Sequence, residues 1–284
     1  MQTNFKKYSL NLRGRLVEIV HPLVMGIVNA TPDSFYDRSR VLDHDAIVAR
    51  VREMVKDGAD IIDLGACSTR PGSEQPSAEE EIRRLDIAVT ALREAAPDVI
   101  VSVDTYRADV ARHCVEELGV DIINDIAGGD LDPAMYSTVA QLQVPYIVMH
   151  MRGTPETMQQ FTEYDGDVAA VVLEELARKV DTLHQLGIND VIADPGFGFS
   201  KTVEQNYRLM SCLEVFHALE VPLLVGISRK SMIQRILGCT AQDALNGTTV
   251  LNTIAMMKGA HILRVHDVKE AVEARKLVCF TRNQ

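Results

Sequence analysis

No stretch of this 284-residue chain runs 18 or more apolar residues, which excludes a membrane-spanning helix. The opening residues Met1-Gln2-Thr3-Asn4-Phe5-Lys6-Lys7 contain no apolar signal-peptide segment, so a soluble, cytoplasmic protein is expected. Positive charge is scarce. With 29 Lys and Arg against 40 Asp and Glu, the net charge is −11 at pH 7, which argues against nucleic acid or an anionic membrane as a partner. If the ligand is an anion, the chain must gather its few cations locally. The five cysteines (Cys67, Cys114, Cys212, Cys239, Cys279) form no CxxC pair and have no histidine at metal-ligand spacing. They suit a reducing compartment and point to neither a disulfide framework nor a zinc site. Also missing are low-complexity stretches, linkers and a G-x-G-x-x-G turn.

What is present is a regular alternation. Short runs rich in β-branched residues fall at 23–28, 60–64, 99–103, 120–123, 144–149, 190–193, 221–226 and 260–265. Helical patterns lie between them at 44–57, 78–95, 107–118, 133–141, 165–187, 202–216, 231–256 (broken near Gly238) and 267–281. Eight strands alternating with eight helices imply right-handed crossovers and a parallel sheet. In this length, and without the dinucleotide-binding turn of an open sheet, they predict an α/β fold of the (β/α)₈ TIM barrel type spanning 1–284 as one domain. Residues 5–21, alternating in character around Gly14, predict a short N-terminal β-hairpin under the barrel.

Barrel enzymes carry their chemistry at the C-terminal ends of the strands. Those ends read Asn29; Asp63; Asp104; Asn124-Asp125; Met149-His150; Asp194; Ser228-Arg229-Lys230; and Arg264-Val265-His266. Any one polar end is an ordinary turn residue, but eight together point to a shared pocket. Side chains alternate along a strand, so Arg264 and His266 share a face. Two such cations on an acidic protein mark an anion site.

Four segments add detail. After Leu23–Val28, Asn29-Ala30-Thr31-Pro32-Asp33-Ser34-Phe35-Tyr36-Asp37 concentrates an amide, hydroxyls, carboxylates and rings beyond what a plain turn needs. Ser68-Thr69-Arg70-Pro71-Gly72 follows the second strand, and Asp194-Pro195-Gly196-Phe197-Gly198-Phe199 the sixth. In the latter, glycine permits close ligand approach, and Phe199 suits either the wall of a flat ring or the core. Ser228-Arg229-Lys230-Ser231 opens a helix whose N-terminus suits a carboxylate or phosphate.

In order, N-x-T-P-D-S-F (29–35), I-D-L-G (62–65), S-T-R-P-G (68–72), V-D-T (103–105), N-D (124–125), D-P-G-F-G-F (194–199), S-R-K-S (228–231) and R-V-H-D-V (264–268) resemble the dihydropteroate synthase family of pterin-binding TIM barrels over nearly the full chain. The resemblance implies condensation of (7,8-dihydropterin-6-yl)methyl diphosphate with 4-aminobenzoate, with Mg²⁺ as cofactor, in a homodimer. It places Asp104, Asn124, Met149, Asp194, Phe199, Lys230 and Arg264 at the pterin, with Asp194 accepting the fork of N–H donors on its pyrimidine edge. Asn29, Thr69, Arg264 and His266 fall at the diphosphate, with Asn29 as the Mg²⁺ ligand. Phe35, Thr69, Pro71, Lys230 and Ser231 fall at the aminobenzoate. Asp37, Lys230, Arg264 and His266 are the expected catalytic set, and C–O cleavage is expected to run ahead of amine attack. The chain departs from the family pattern at Tyr36, Arg38 and Ser39 and at Ala66-Cys67, all near the aminobenzoate side. A pterin-binding methyltransferase and a non-catalytic pterin-binding homologue are the two alternatives; the first has no need of S-T-R-P, S-R-K-S or R-V-H, and the intact set of polar strand ends argues against the second.

Overall fold

The alternation of apolar residues along each short run places one row of side chains inward and the next outward. The computed structural model, which describes residues 5–30, 44–67 and 75–282, arranges those rows around a closed parallel barrel. A hairpin comes first: β1 (Tyr8–Leu12) pairs antiparallel with β2 (Arg15–Ile19). It turns at Arg13 and Gly14, both with positive φ. The barrel strands are β3 (Leu23–Asn29), β4 (Ile61–Gly65), β5 (Ile100–Asp104), β6 (Ile122–Asp125), β7 (Tyr146–Met149), β8 (Val191–Asp194), β9 (Leu224–Val225) and β10 (Ile262–Val265). Their order is β8-β7-β6-β5-β4-β3-β10-β9, and a parallel bridge between Ala193 and Leu223 joins the two ends.

The helices are α1 (His44–Asp57), α2 (Ala78–Ala95), α3 (Ala108–Glu116), α4 (Met135–Leu142), α5 (Val168–Gln185), α6 (Val203–Ser211), α7 (Ser231–Leu237), α8 (Leu245–Met257) and α9 (Val268–Arg282). Several starts are set by side chains that satisfy orphan N–H groups. Ser77 accepts from Glu80 N, Asp167 from Ala169 N, and Thr202 with Gln205 forms a reciprocal capping box at α6. α7 ends at Gly238 with φ 61°, the left-handed conformation that glycine adopts without steric cost.

Two expectations need correction. The strand expected at 221–226 shortens to Leu224–Val225, because Pro222 has no N–H to give to a ladder. The helix expected at 202–216 stops at Ser211 and continues as a 3₁₀ turn over Leu213–Leu219.

Inside the barrel the inward rows stack in layers. The bottom layer is apolar, with Met25, Ile61, Ile122, Ile147, Ile192, Leu224 and Ile262 packed with Leu10, Leu12 and Ile19 of the hairpin. Burying such side chains contributes about 1.5–3 kcal/mol each, so this plug anchors one end of the barrel. One inward step towards the C-terminal ends, the layer turns polar: Asp63, Ser102, Asn124, Asp194 and Arg264. The fold thus spends its apolar residues at the bottom and between sheet and helices, and gathers its polar ones at the opposite mouth.

Candidate active site

The inward polar layer is built by register. Asp63 lies opposite Ser102 on β5, and Asp104 opposite Asn124 on β6. Arg264 reaches across from β10: its Nε donates to Asp63 Oδ2 at 2.6 Å and its Nη2 to Asp104 Oδ2 at 2.8 Å. Asn124 Nδ2 donates to the same Asp63 oxygen at 3.2 Å. Burial works against the guanidinium's charge, but Asp63 and Asp104 more than offset it, and the Arg264 pKa is raised. Burial pushes the Asp104 carboxyl up while Arg264 pulls it down. Asp63 Oδ1 and Ser102 Oγ are buried with no hydrogen-bond partner. Both lie closed off from solvent in the polar layer.

On the opposite wall, Asp194 ends β8 and accepts from Gly196 N at 2.8 Å. Burial raises its pKa, against the pull of Lys230, the Gly196 N–H, Lys201 and Arg264. Lys230 Nζ lies 4.5 Å from the centre of the Phe199 ring and donates to Phe197 O. Burial pushes the Lys230 pKa down to about 8. The loop between these groups is closely packed. A Cβ on Gly196, at φ 72°, would lie 1.9 Å from His150 O, and one on Gly198, at φ 82°, 3.0 Å from Lys230 Cδ. Phe199 is half-buried against a small apolar patch containing Ile126, Met149, Met151 and Met158. Ring, Met149 and ammonium lie together on one side of the site.

At the mouth, Asn29 is exposed at the end of β3. A Cβ on Gly65 would sit 3.8 Å from both Asn29 Oδ1 and Asp104 Cβ, so the glycine leaves the space between them open. Ser231 is exposed at the first turn of α7. His266 needs correction as a second cation: burial, followed by the Arg264 charge, pushes its pKa down to about 4. Ser228 Oγ accepts from His266 N at 3.1 Å and lies 3.0 Å from His266 Nδ1. The imidazole is thus held in place by Ser228 and disfavoured as a cation beside the Arg264 guanidinium.

The polar strand ends do not all face the pocket. Where two polar or sulfur-bearing residues are adjacent, the alternation sends one away. Asp125 turns outward, accepting from Tyr146 Oη at 2.6 Å and from Ala127 N and Gly129 N at 2.8 Å. His150 turns outward to Glu175 and Lys201. Arg229 also leaves the pocket, paired with Asp267 through Nε at 2.9 Å and Nη2 at 2.8 Å. Phe35, Asp37, Thr69 and Pro71, with Tyr36, Arg38 and Ser39, lie outside the described residues. Two groups that matter here were not assigned from sequence: Asp63, visible only as one polar strand end among many, and Lys201, which no pattern marks.

Beyond the end of β4, Cys67 and the start of α2 are tied together through Arg107. Arg107 pairs with the buried Glu81 and donates to Pro76 O at 2.8 Å. Cys67 lies 4.0 Å from Arg107 Nη1, and burial, with Glu81 next, pushes its thiol well above the usual range. A thiol held protonated is a packing group here, not a nucleophile.

The sequence pattern of the pterin binding enzyme family matches residues 25–266. The dihydropteroate synthase of Escherichia coli is 42% identical over 271 residues, 94% of each chain. That of Synechocystis is 41% identical over 257 residues, 89% of this chain and 88% of the relative. Among solved structures, Xanthomonas albilineans dihydropteroate synthase with 4-aminobenzoic acid superposes with a TM-score of 0.90 at 34% identity, covering 98% of this chain and 100% of that one. The same enzyme with 7,8-dihydropteroate gives 0.86 at 33% identity, covering 98% and 100%. The Yersinia pestis enzyme with a sulfonamide gives 0.89 at 38% identity, covering 97% and 99%.

Proposed function

Because the chain belongs to the pterin-binding enzyme family, with the dihydropteroate synthases as its full-length relatives, we infer that the polar mouth of the barrel is a dihydropteroate synthase site. The reaction is transfer of a 7,8-dihydropterin-6-ylmethyl group from its diphosphate to the amino nitrogen of 4-aminobenzoate. The C–O bond to the diphosphate breaks, the C–N bond forms, and the amine loses a proton. The observation that carries the reading is the pairing of one buried carboxylate wall, Asp194 beside Lys230, with an Arg264–Asp63–Asp104 cluster facing it. A flat, polar heterocycle with an anionic tail matches that division.

The roles are those the family resemblance implies, and the chemistry of the residues fits them. Asp194 accepts the adjacent N–H donors of the aminopyrimidine edge, and Asp104 and Asn124 meet other ring nitrogens. Phe199 and Met149 cover the ring face. Lys230 takes the oxygen side and approaches the second substrate. Arg264 and His266 meet the diphosphate, with Thr69 added from the second loop. Phe35, Pro71 and Ser231 fall to the aminobenzoate, and Asp37 to shaping the first loop. A preorganised set of donors around a leaving diphosphate stabilises the charge that develops there. The aniline nitrogen is already nucleophilic and needs no strong base.

Asn29 fits a Mg²⁺ held by one protein oxygen. Its amide is exposed at the strand end next to open space over Gly65, and a hard cation that keeps its waters takes the remaining oxygens from a diphosphate. Bound there, the ion would neutralise leaving-group charge. A sulfonamide, as an analogue of the aminobenzoate, would compete at the second-substrate end.

The outer face of α8 and α9 leaves Val250, Ile254, Met257, Leu277 and Phe280 exposed, the last two at 71% and 69%. An apolar face of this kind suits association, and we assign it to a homodimer. No helix among the described residues is long and apolar enough to cross a membrane, and the five unpaired cysteines fit the cytoplasm.

The test is diphosphate release from dihydropterin diphosphate with and without 4-aminobenzoate, at several Mg²⁺ concentrations. Release that depends on the amine supports the synthase. Release without it, or pterin binding with no turnover, refutes the reading.

A further inference from the structure

One buried cation is unused by the chemistry above. Lys201 is 4% exposed, yet all three protons of its ammonium have a partner. They go to His150 Nδ1 at 2.9 Å, Gly196 O at 3.0 Å and Phe199 O at 3.0 Å. Both carbonyls belong to the loop that carries Asp194. That loop is in left-handed backbone three times, at Gly196 (φ 72°), Gly198 (φ 82°) and Ser200 (φ 48°). For Ser200, which has a Cβ, such a conformation persists only where the surroundings hold it. Here they do: Arg152 N donates to Ser200 Oγ at 3.1 Å, and Tyr164 Oη to Ser200 O at 3.0 Å.

The ammonium is gripped from behind as well. Burial and the Lys201 charge push the His150 pKa down to about 4, so its ring is neutral. Nδ1 then accepts from Lys201, and Nε2–H donates to Glu175 at 2.8 Å. Hydrogen bonds, that from His150 first, hold the Glu175 carboxyl down at about 2, and Arg152 Nη2 donates to its other oxygen at 2.5 Å. A chain of directed hydrogen bonds therefore runs from Arg152 at the surface, through Glu175, His150 and Lys201, to the backbone around Asp194. A buried charge costs folding energy unless it is fully paired, and a fully satisfied polar network fixes geometry. A fold that needed only packing at this point would be served by an apolar residue.

We propose that Lys201 is a positioning residue for the pterin end of the site: its ammonium clamps the Gly196 and Phe199 carbonyls, fixing the loop that aims the Asp194 carboxylate. The proposal rests on the reading of Asp194 as the pterin acceptor. Lys201 does not touch the substrate; it acts through the loop. The titratable and charged groups around the pair are the neutral His150 just after β7, Arg152 after it, Glu175 and Lys179 on α5, Lys230 before α7 and Arg264 on β10. Burial raises the Asp194 pKa, and Lys201 is one of four groups that lower it. Removing its charge lets the carboxyl take up a proton at higher pH, so the acid limb of the pterin kcat/KM profile moves up.

The experiment uses three full-length variants. Lys201→Gln retains two N–H donors for the carbonyls but no charge; Lys201→Met retains neither; Asp194→Asn is the control. Each is measured for KM of dihydropterin diphosphate and of 4-aminobenzoate, for the pH profile of kcat/KM, and by thermal melting. The expected result for Lys201→Gln is a folded protein whose pterin KM rises about tenfold, the scale of a small misplacement of a binding group. Its aminobenzoate KM stays near that of the parent, and its acid limb shifts upward; Lys201→Met shows a larger pterin defect. A Gln variant with parental pterin KM and acid limb overturns the proposal. So does one that fails to fold, since Lys201 would then serve the barrel rather than the site. An Asp194→Asn variant that binds the pterin as the parent does overturns the reading of the pocket itself. If it loses the pterin while both Lys201 variants keep it, the Lys201 role alone falls.

Discussion

Replacing Asp63 with Asn tests whether the carboxylate beneath Arg264 is part of the site's construction. One of its oxygens takes two hydrogen bonds, from Arg264 Nε at 2.6 Å and Asn124 Nδ2 at 3.2 Å, while the other is buried without a partner. An Asn side chain that keeps its oxygen on Arg264 points its NH₂ group into that partnerless space. An unsatisfied buried donor costs roughly 1–3 kcal/mol. Losing the charge adds to this, and breaking a buried ion pair outright costs about 3–5 kcal/mol. Asp104 still holds the guanidinium at 2.8 Å, so the pair is weakened rather than broken, and the expected loss is about 2–3 kcal/mol. For a domain of this size that lowers Tm by roughly 5–10 °C. Arg264, steered by one carboxylate instead of two, loses its fixed aim, and kcat/KM for the pterin diphosphate falls by at least about tenfold. Melting curves and diphosphate release on the same preparation measure both effects. A variant that melts within about 2 °C of the parent and turns over at the parental rate refutes the assignment of Asp63 as the anchor of Arg264.

Other perturbations have equally definite outcomes. Lys230→Ala removes the ammonium beside Asp194 and over Phe199; turnover is expected to fall by about 100-fold or more, with melting almost unchanged, and normal turnover would remove Lys230 from the mechanism. Gly196→Ala places a methyl 1.9 Å from His150 O at φ 72°, so pterin binding measured by calorimetry should be lost, and an active variant would contradict the loop geometry. Stability should also fall in mild acid. Buried His150 and His261 have pKa values pushed down to about 4, by burial first and then by Lys201 at His150, but despite the Lys6 carbonyl at His261. The unfolded chain takes up these protons near pH 6.5 and the folded one only near 4, so their contribution is complete above about pH 6.5 and is lost as pH falls towards 4. Two protons correspond to roughly 3 kcal/mol per pH unit within that window, and denaturant midpoints that stay level from pH 7 to 5 would contradict it.

Much of this was legible in the sequence because alternation and punctuation are local. α1 and α2 begin and end where their apolar period and the Ser77 cap place them, and the barrel strands follow runs of β-branched residues. The inward or outward choice at paired strand ends was not legible. Asn124 and Asp125, or Met149 and His150, differ by one step along the strand, and only the register against neighbouring strands decides which enters the pocket. The charge state of His266 depends on Arg264 and on burial, which a list of residue types does not contain. Lys201 is the clearest omission: a lysine after a glycine-rich loop looks like a solvated side chain, and only the fold turns it inward. The first loop with Phe35 and Asp37, and the second with Thr69 and Pro71, lie outside the described residues, so those roles rest on the resemblance and the chemistry alone.

The barrel wall is uneven in a way that bears on inhibitors. β9 has two residues, and one bridge, Ala193 to Leu223, joins it to β8. Asp194 stands on one side of this join and Lys230 on the other, and Lys230 donates across it to Phe197 O. A molecule gripped by both side chains fastens the hoop at its weakest point, whereas one confined to the outer mouth leaves the join as it was. Amide hydrogen exchange at Ala193, whose N–H donates to Pro222 O at 2.9 Å across the join, would therefore separate the two kinds of compound by where they pull, even when their affinities are equal.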